Sequence, residues 1–79
     1  MTSDEAREMV VESVRRAVKD RTVEVPDGAD LLERGILDSL DGMVFLLELS
    51  NLSGKEFPEN DLAEAGFYKL DHLIAFLTA

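Results

Sequence analysis

Through the first twenty residues, apolar or small side chains return every three or four positions. Ala6, Met9, Val10, Ser13, Val14, Ala17 and Val18 share this spacing, with Glu, Arg and Lys between them. The pattern predicts an amphipathic helix from about Thr2 to Asp20 with one buried face. Thr2 and Glu5 have the spacing of a capping box. The rhythm then breaks between Arg21 and Asp38, where Pro26, Asp27-Gly28 and Gly35 are turn or breaker residues. A connection of this length in a small domain is expected to be functional or to hold local structure. Val23, Val25, Leu31, Leu32, Ile36 and Leu37 are expected to pin it to the core, and Leu31 to Arg34 to form a single helical turn before Gly35.

A second helix is predicted from Ser39 to about Ser53, with Asp38 and Ser39 both suitable N-cap types and Gly54 a natural stop. Lys55 to Pro58 reads as a loop with Phe57 buried. A short helix is expected from Glu59 or Asn60 to Ala65, ended by Gly66. The last helix covers about Lys69 to Leu77, with Leu70, Leu73, Ile74 and Leu77 on one face and no good N-cap. No segment alternates long enough to build a sheet. The expected fold is all-α: a small four-helix bundle, three main helices plus one short helix, with a long loop between the first two. Residues 1–79 form a single domain.

The second helix does not fit a simple core. At about 100° per residue, Leu40, Met43, Val44 and Leu47 form one stripe, and Phe45, Leu49 and Leu52 form another on roughly the opposite side. Leu46 lies on a flank between them. Few helices in so small a domain can be covered all round. One stripe must face the other helices. The second is either covered by the long connection or left partly exposed as a binding surface. The stripe that begins at Leu40 starts beside Ser39.

Composition narrows the chemistry. The chain has 79 residues, no cysteine and a single histidine, His72, so neither a disulfide nor a thiolate or His-rich metal site is expected. With 46% hydrophobic residues it can build a core, and its formal charge of −9 argues against nucleic acid and for basic partner surfaces. No apolar run approaches the ~20 residues that span a bilayer, and no signal peptide is evident, so a cytoplasmic, membrane-independent protein is expected. Cysteine-free composition fits a reducing compartment. Nothing pairs His72 with a nucleophile, no serine sits in a G-x-S-x-G elbow, and the carboxylates do not form an EF-hand loop. No enzyme is expected. Glu59, Asp61 and Glu64 read as a solvated acidic face.

Gly35-Ile36-Leu37-Asp38-Ser39-Leu40-Asp41 resembles the phosphopantetheine attachment site of acyl and aminoacyl carrier proteins. Asp-Ser-Leu alone is a weak signal. The upstream Asp30-Leu31-Leu32-Glu33-Arg34-Gly35, the apolar helix downstream, the Glu56-Phe57-Pro58 turn and the last helix also fall at similar spacing. The resemblance thus covers nearly the whole chain. It implies that a phosphopantetheinyl transferase moves phosphopantetheine from coenzyme A onto the Ser39 hydroxyl. The thiol of that arm would carry cargo as a thioester between a loading ligase or acyltransferase and a downstream acceptor enzyme. A helix start favours the incoming phosphodiester. Asp38 repels it, and by resemblance contacts a basic transferase surface or the transferase's metal site.

The chain departs from carriers of fatty acid synthesis, which place several acidic residues after the serine. Here the helix holds only Asp41 and Glu48, and its outward positions include Val44, Ser50 and Asn51. Asp38, Leu40, Asp41, Met43, Val44 and Leu47 are therefore the candidate partner-binding residues, with apolar contact prominent. Leu32 to Leu49 also looks like stand-alone amino acid carriers, D-alanyl carriers included. A discrete monomeric carrier in a polyketide, nonribosomal peptide or aminoacyl-transfer pathway is expected. The alternative is an acidic helical interaction module that is never modified, in which Ser39 only caps its helix.

Overall fold

The computed structural model describes residues 1–57 and 66–79, and the short helix expected between Glu59 or Asn60 and Ala65 lies outside the described residues. Among the described residues the fold is all-helical: α1 (Ser3–Val18), α2 (Ser39–Ser53) and α3 (Leu70–Thr78), with no strand. Helix α1 packs against both of the others.

Helix α1 starts as its sequence dictates. Thr2 accepts a hydrogen bond from the Glu5 amide, and the Glu5 carboxylate accepts one from the Thr2 amide, closing the capping box. That second bond holds the Glu5 carboxyl below its ordinary pKa. The buried face is Ala6, Val10, Ser13, Val14 and Ala17. Ser13 tolerates full burial because its hydroxyl donates to the Met9 carbonyl one turn back, at 2.8 Å. The helix stops at Val18, two residues before the expected Asp20, because Lys19 takes a left-handed conformation and donates its amide to the Arg15 carbonyl.

The connection to α2 is locally ordered. The Asp30 side chain accepts from the amides of Leu32 and Glu33, at 3.0 and 3.1 Å, and the Arg34 amide donates to the Asp30 carbonyl at 2.9 Å. This is the predicted helical turn, and Gly35, at φ 73°, ends it in the left-handed region. Val25, Leu31 and Leu37 anchor the segment in the core, with Val23 and Ile36 packed against it. Leu32 does not pin the loop: it is exposed, because the turn that buries Leu31 swings the next side chain outward. Two backbone bonds tie the turn to the start of α3, from Leu31 N–H to Tyr68 C=O at 3.0 Å and from Leu70 N–H to Ala29 C=O at 2.8 Å. Arg15 Nε also donates to the Val23 carbonyl, and Arg7 pairs with Asp27, so α1 grips the connection from below.

Helix α2 ends at Gly54, whose φ of 72° admits the left-handed cap that returns its amide to the Ser50 carbonyl. Phe57 is only partly buried, stacked on Phe76 with ring centroids 4.8 Å apart. Helix α3 has no side-chain N-cap bond. Its far end is held from outside: Lys55 Nζ donates to the carbonyls of Phe76, Leu77 and Ala79 at 2.9 to 3.3 Å. A cation there satisfies orphan carbonyls and opposes the negative end of the helix dipole.

Candidate functional site

The first turn of α2 carries the candidate site. The N-cap is Asp38, in extended conformation, and its Oδ1 accepts from the Asp41 amide at 2.7 Å. Its carbonyl takes the first helical bond, from Gly42 N–H at 2.8 Å. Ser39 is the first helical residue and does not cap the helix, which resolves the choice between the two cap candidates. With a carboxylate already at the cap, the serine hydroxyl has no backbone task. It is exposed, and among the described residues it makes no hydrogen bond. The amides of Ser39 and Leu40 also lack a partner among the described residues, as first-turn amides do.

The buried Leu37, two residues earlier, fixes where Ser39 stands. Leu37 is 1% exposed, and its amide donates to the Leu31 carbonyl at 3.0 Å. The serine therefore sits on a rigid edge and not at a loop tip, although the connection before it is long.

The two stripes of α2 have opposite fates. Phe45 and Leu49 are fully buried, Gly42 is buried with them, and Leu46 on the flank is buried but for an edge. The other stripe faces outward: Leu40 is 71% exposed, Met43 67%, Leu47 67% and Val44 38%. These four side chains begin one residue after Ser39 and run for two turns. They adjoin an open groove of about 350 Å³ lined by Met43, Leu46, Leu47, Ser50, Glu56 and Phe57. The Ser50 hydroxyl donates to the Lys55 carbonyl at 2.8 Å, which leaves the groove mainly apolar. Exposed apolar patches on a small domain mark contact surfaces.

Carboxylates stand at the head of the stripe. Five of the eight Lys and Arg residues fall in the first 21 residues and balance five carboxylates there, so the whole net charge of −9 resides in the rest of the chain. Asp38 is exposed and Asp41 half-buried at the head of the stripe. Glu48 is bound to α1, with Arg16 Nη1 3.5 Å from its carboxylate. Arg16 also bonds Glu12, which in turn receives both terminal nitrogens of Arg21 at 2.7 and 2.8 Å. These guanidinium bonds, Arg21 first, hold the Glu12 carboxyl down at about 2.

Of the predicted site residues, the structure brings Asp38, Ser39, Leu40, Asp41, Met43, Val44 and Leu47 onto one end and one face of α2. The expected acidic face of Glu59, Asp61 and Glu64 lies outside the described residues. His72 is exposed on α3, with its ring centroid 5.4 Å from that of Phe67. Sequence reasoning passed over Tyr68, whose hydroxyl end lies against Gly42 on the turn next to Ser39. A glycine inside an otherwise apolar helix was the available signal, since it marks a close approach by another group. Among the described residues no His, Asp and Glu cluster suits a metal ion, and no helix is long and apolar enough to cross a membrane. No protein-family model, no curated protein and no solved structure matches the chain.

Proposed function

We propose that this chain is a discrete acyl or aminoacyl carrier protein, with Ser39 as the attachment point for a phosphopantetheine arm. The observation that carries the reading is the division of labour at the head of α2: Asp38 caps the helix, and the Ser39 hydroxyl is left exposed and unbonded among the described residues. The residues present fit the group. A free hydroxyl can be esterified without dismantling a cap, and the Ser39 and Leu40 amides offer donors and a positive helix end to a phosphodiester. Asp38 turns its carboxylate toward the Asp41 amide, which offsets part of its repulsion of the phosphate.

The arm supplies the thiol that this cysteine-free chain lacks, and with it a thioester for the cargo. Leu37 and the Asp30 turn hold Ser39 at a fixed place, so an arm pivots from a rigid base. Asp38 meets the basic surface of a phosphopantetheinyl transferase. Leu40, Met43, Val44 and Leu47 give that transferase, the loading ligase or acyltransferase and the acceptor enzyme an apolar face. The surrounding carboxylates speed and orient encounter with basic partners. The short helix between Glu59 or Asn60 and Ala65 completes a four-helix carrier bundle in this reading. A cytoplasmic setting fits the cysteine-free composition, and a specialised polyketide, nonribosomal peptide or aminoacyl-transfer pathway fits the apolar character of the partner face.

The same stripe also suits an interaction module that is never modified, since its exposure does not depend on Ser39. Incubation with coenzyme A and a broad-specificity transferase separates the two readings. A carrier gains the mass of one phosphopantetheine, and Ser39→Ala gains none. An unchanged wild-type mass, or labelling that survives Ser39→Ala, rejects the carrier reading.

A further inference from the structure

We infer that Tyr68 is a positioning residue for the group attached to Ser39, its hydroxyl hydrogen-bonding the first, phosphate-proximal part of the arm and holding it against the start of α2. The inference rests on the attachment reading of Ser39 and goes beyond it by assigning a second residue, from a distant part of the chain, to the same site.

Tyr68 lies immediately before α3, and its placement is over-determined. Its carbonyl accepts from the Leu31 amide at 3.0 Å, and its ring packs against Phe67 and Phe45 with centroids 5.3 and 6.3 Å away. The ring crosses toward α2, where a Cβ built on Gly42 would lie 3.5 Å from the tyrosine hydroxyl oxygen and 3.6 Å from the neighbouring ring carbon. Gly42 is buried under this contact. Any side chain longer than alanine there would drive the hydroxyl away from the helix.

Gly42 follows Ser39 by three positions, about 60° around the helix and about 4.5 Å along it. The phenol end therefore stands beside the same helical turn as the serine. Among the described residues the hydroxyl makes no hydrogen bond, while the ring below it is fully committed to packing. Burial pushes the phenol's pKa up, so at neutral pH it keeps its proton and remains a donor. A phosphodiester oxygen, or the hydroxyl and amide groups that follow it, are suitable acceptors. Among the described residues no contact of Tyr68 uses the oxygen, and phenylalanine would fill the same space.

The test uses the full-length holo-protein, its single attached arm verified by mass, with the arm carbon-labelled and the protein unlabelled. Isotope-filtered NMR is expected to show contacts between the branched methyl groups next to the phosphate and the Tyr68 ring. Tyr68→Phe is expected to displace the phosphorus resonance of the phosphodiester while leaving the thermal midpoint of the apo-protein essentially unchanged. Absence of arm-to-Tyr68 contacts in the wild-type holo-protein, or an unmoved phosphorus resonance in Tyr68→Phe, overturns the inference and leaves the carrier reading standing. Failure to load any arm on Ser39 instead overturns the carrier reading, and the role of Tyr68 falls with it.

Discussion

Replacing, one at a time, the two residues at the head of α2 separates stability from attachment. Asp38 accepts the Asp41 amide at 2.7 Å, whereas the neighbouring Ser39 hydroxyl bonds nothing among the described residues. Loss of an N-cap side chain costs about 1 kcal/mol. For 79 residues the unfolding entropy at the midpoint is roughly 0.17 kcal/mol/K, so 1 kcal/mol corresponds to roughly 6 °C. Asp38→Ala is therefore expected to lower the thermal midpoint by roughly 6 °C. Asp38→Asn keeps a capping oxygen and is expected to restore most of the loss, minus the smaller contribution of a negative charge near the helix N-terminus. Ser39→Ala removes no cap and is expected to leave the midpoint essentially unchanged while abolishing loading by the transferase. Melts followed by circular dichroism at one pH and salt concentration read all three, provided the transition is two-state. A Ser39→Ala midpoint as low as that of Asp38→Ala, or no recovery in Asp38→Asn, refutes the assignment of the cap and the freedom of the serine derived from it.

The contrast between the faces of α2 predicts that Leu47→Ser, at 67% exposure, stays within about 0.5 kcal/mol of wild type, whereas Leu49→Ala in the core costs about 3 kcal/mol; urea titration of both distinguishes a partner face from a hidden core. Lys55→Met removes the donors to the Phe76, Leu77 and Ala79 carbonyls and is expected to cost about 1 kcal/mol, with hydrogen exchange fastest in the last turn of α3. The Glu12 carboxyl is lowered from its ordinary 4.5 to about 2 by Arg21 and Arg16. Its contribution to stability is therefore present above pH 4.5 and disappears as the pH falls toward 2. Acid unfolding of Glu12→Gln should show a shallower decline across that window than wild type, and an identical slope would mean that the guanidinium bonds to Glu12 are not formed in solution.

Much of the architecture was legible from local chemistry. The capping box at Thr2 and Glu5, the left-handed stop at Gly54 and the turn around Leu31 to Arg34 are decided within a few residues, and the structure has each of them. The missing N-cap of α3 was equally visible, but not what the tertiary fold supplies at either end. The Leu70 amide donates to the distant Ala29 carbonyl, and at the other end Lys55 reaches the carbonyls of Phe76 and Leu77 from more than twenty residues away; no local pattern encodes those distances. Leu32 shows the opposite failure. Hydropathy placed it inside, but it is adjacent to Leu31 in a turn that can bury only one of them.

The candidate site divides in the same way. The sequence alone established an Asp-Ser pair at a helix start and two apolar stripes on the helix that follows. Periodicity ranks neither stripe above the other, because both repeat at helical spacing and both are apolar. Only tertiary packing, with α2 set against α1 and Phe45 against Tyr68, buried Phe45, Leu46 and Leu49 and turned Leu40, Met43 and Leu47 to the surface. Tertiary structure likewise chose Asp38 over Ser39 as the cap. Leu37, held by its bond to the Leu31 carbonyl, leads into Asp38 in extended conformation, whose carboxylate accepts the Asp41 amide, while the serine hydroxyl makes no bond among the described residues.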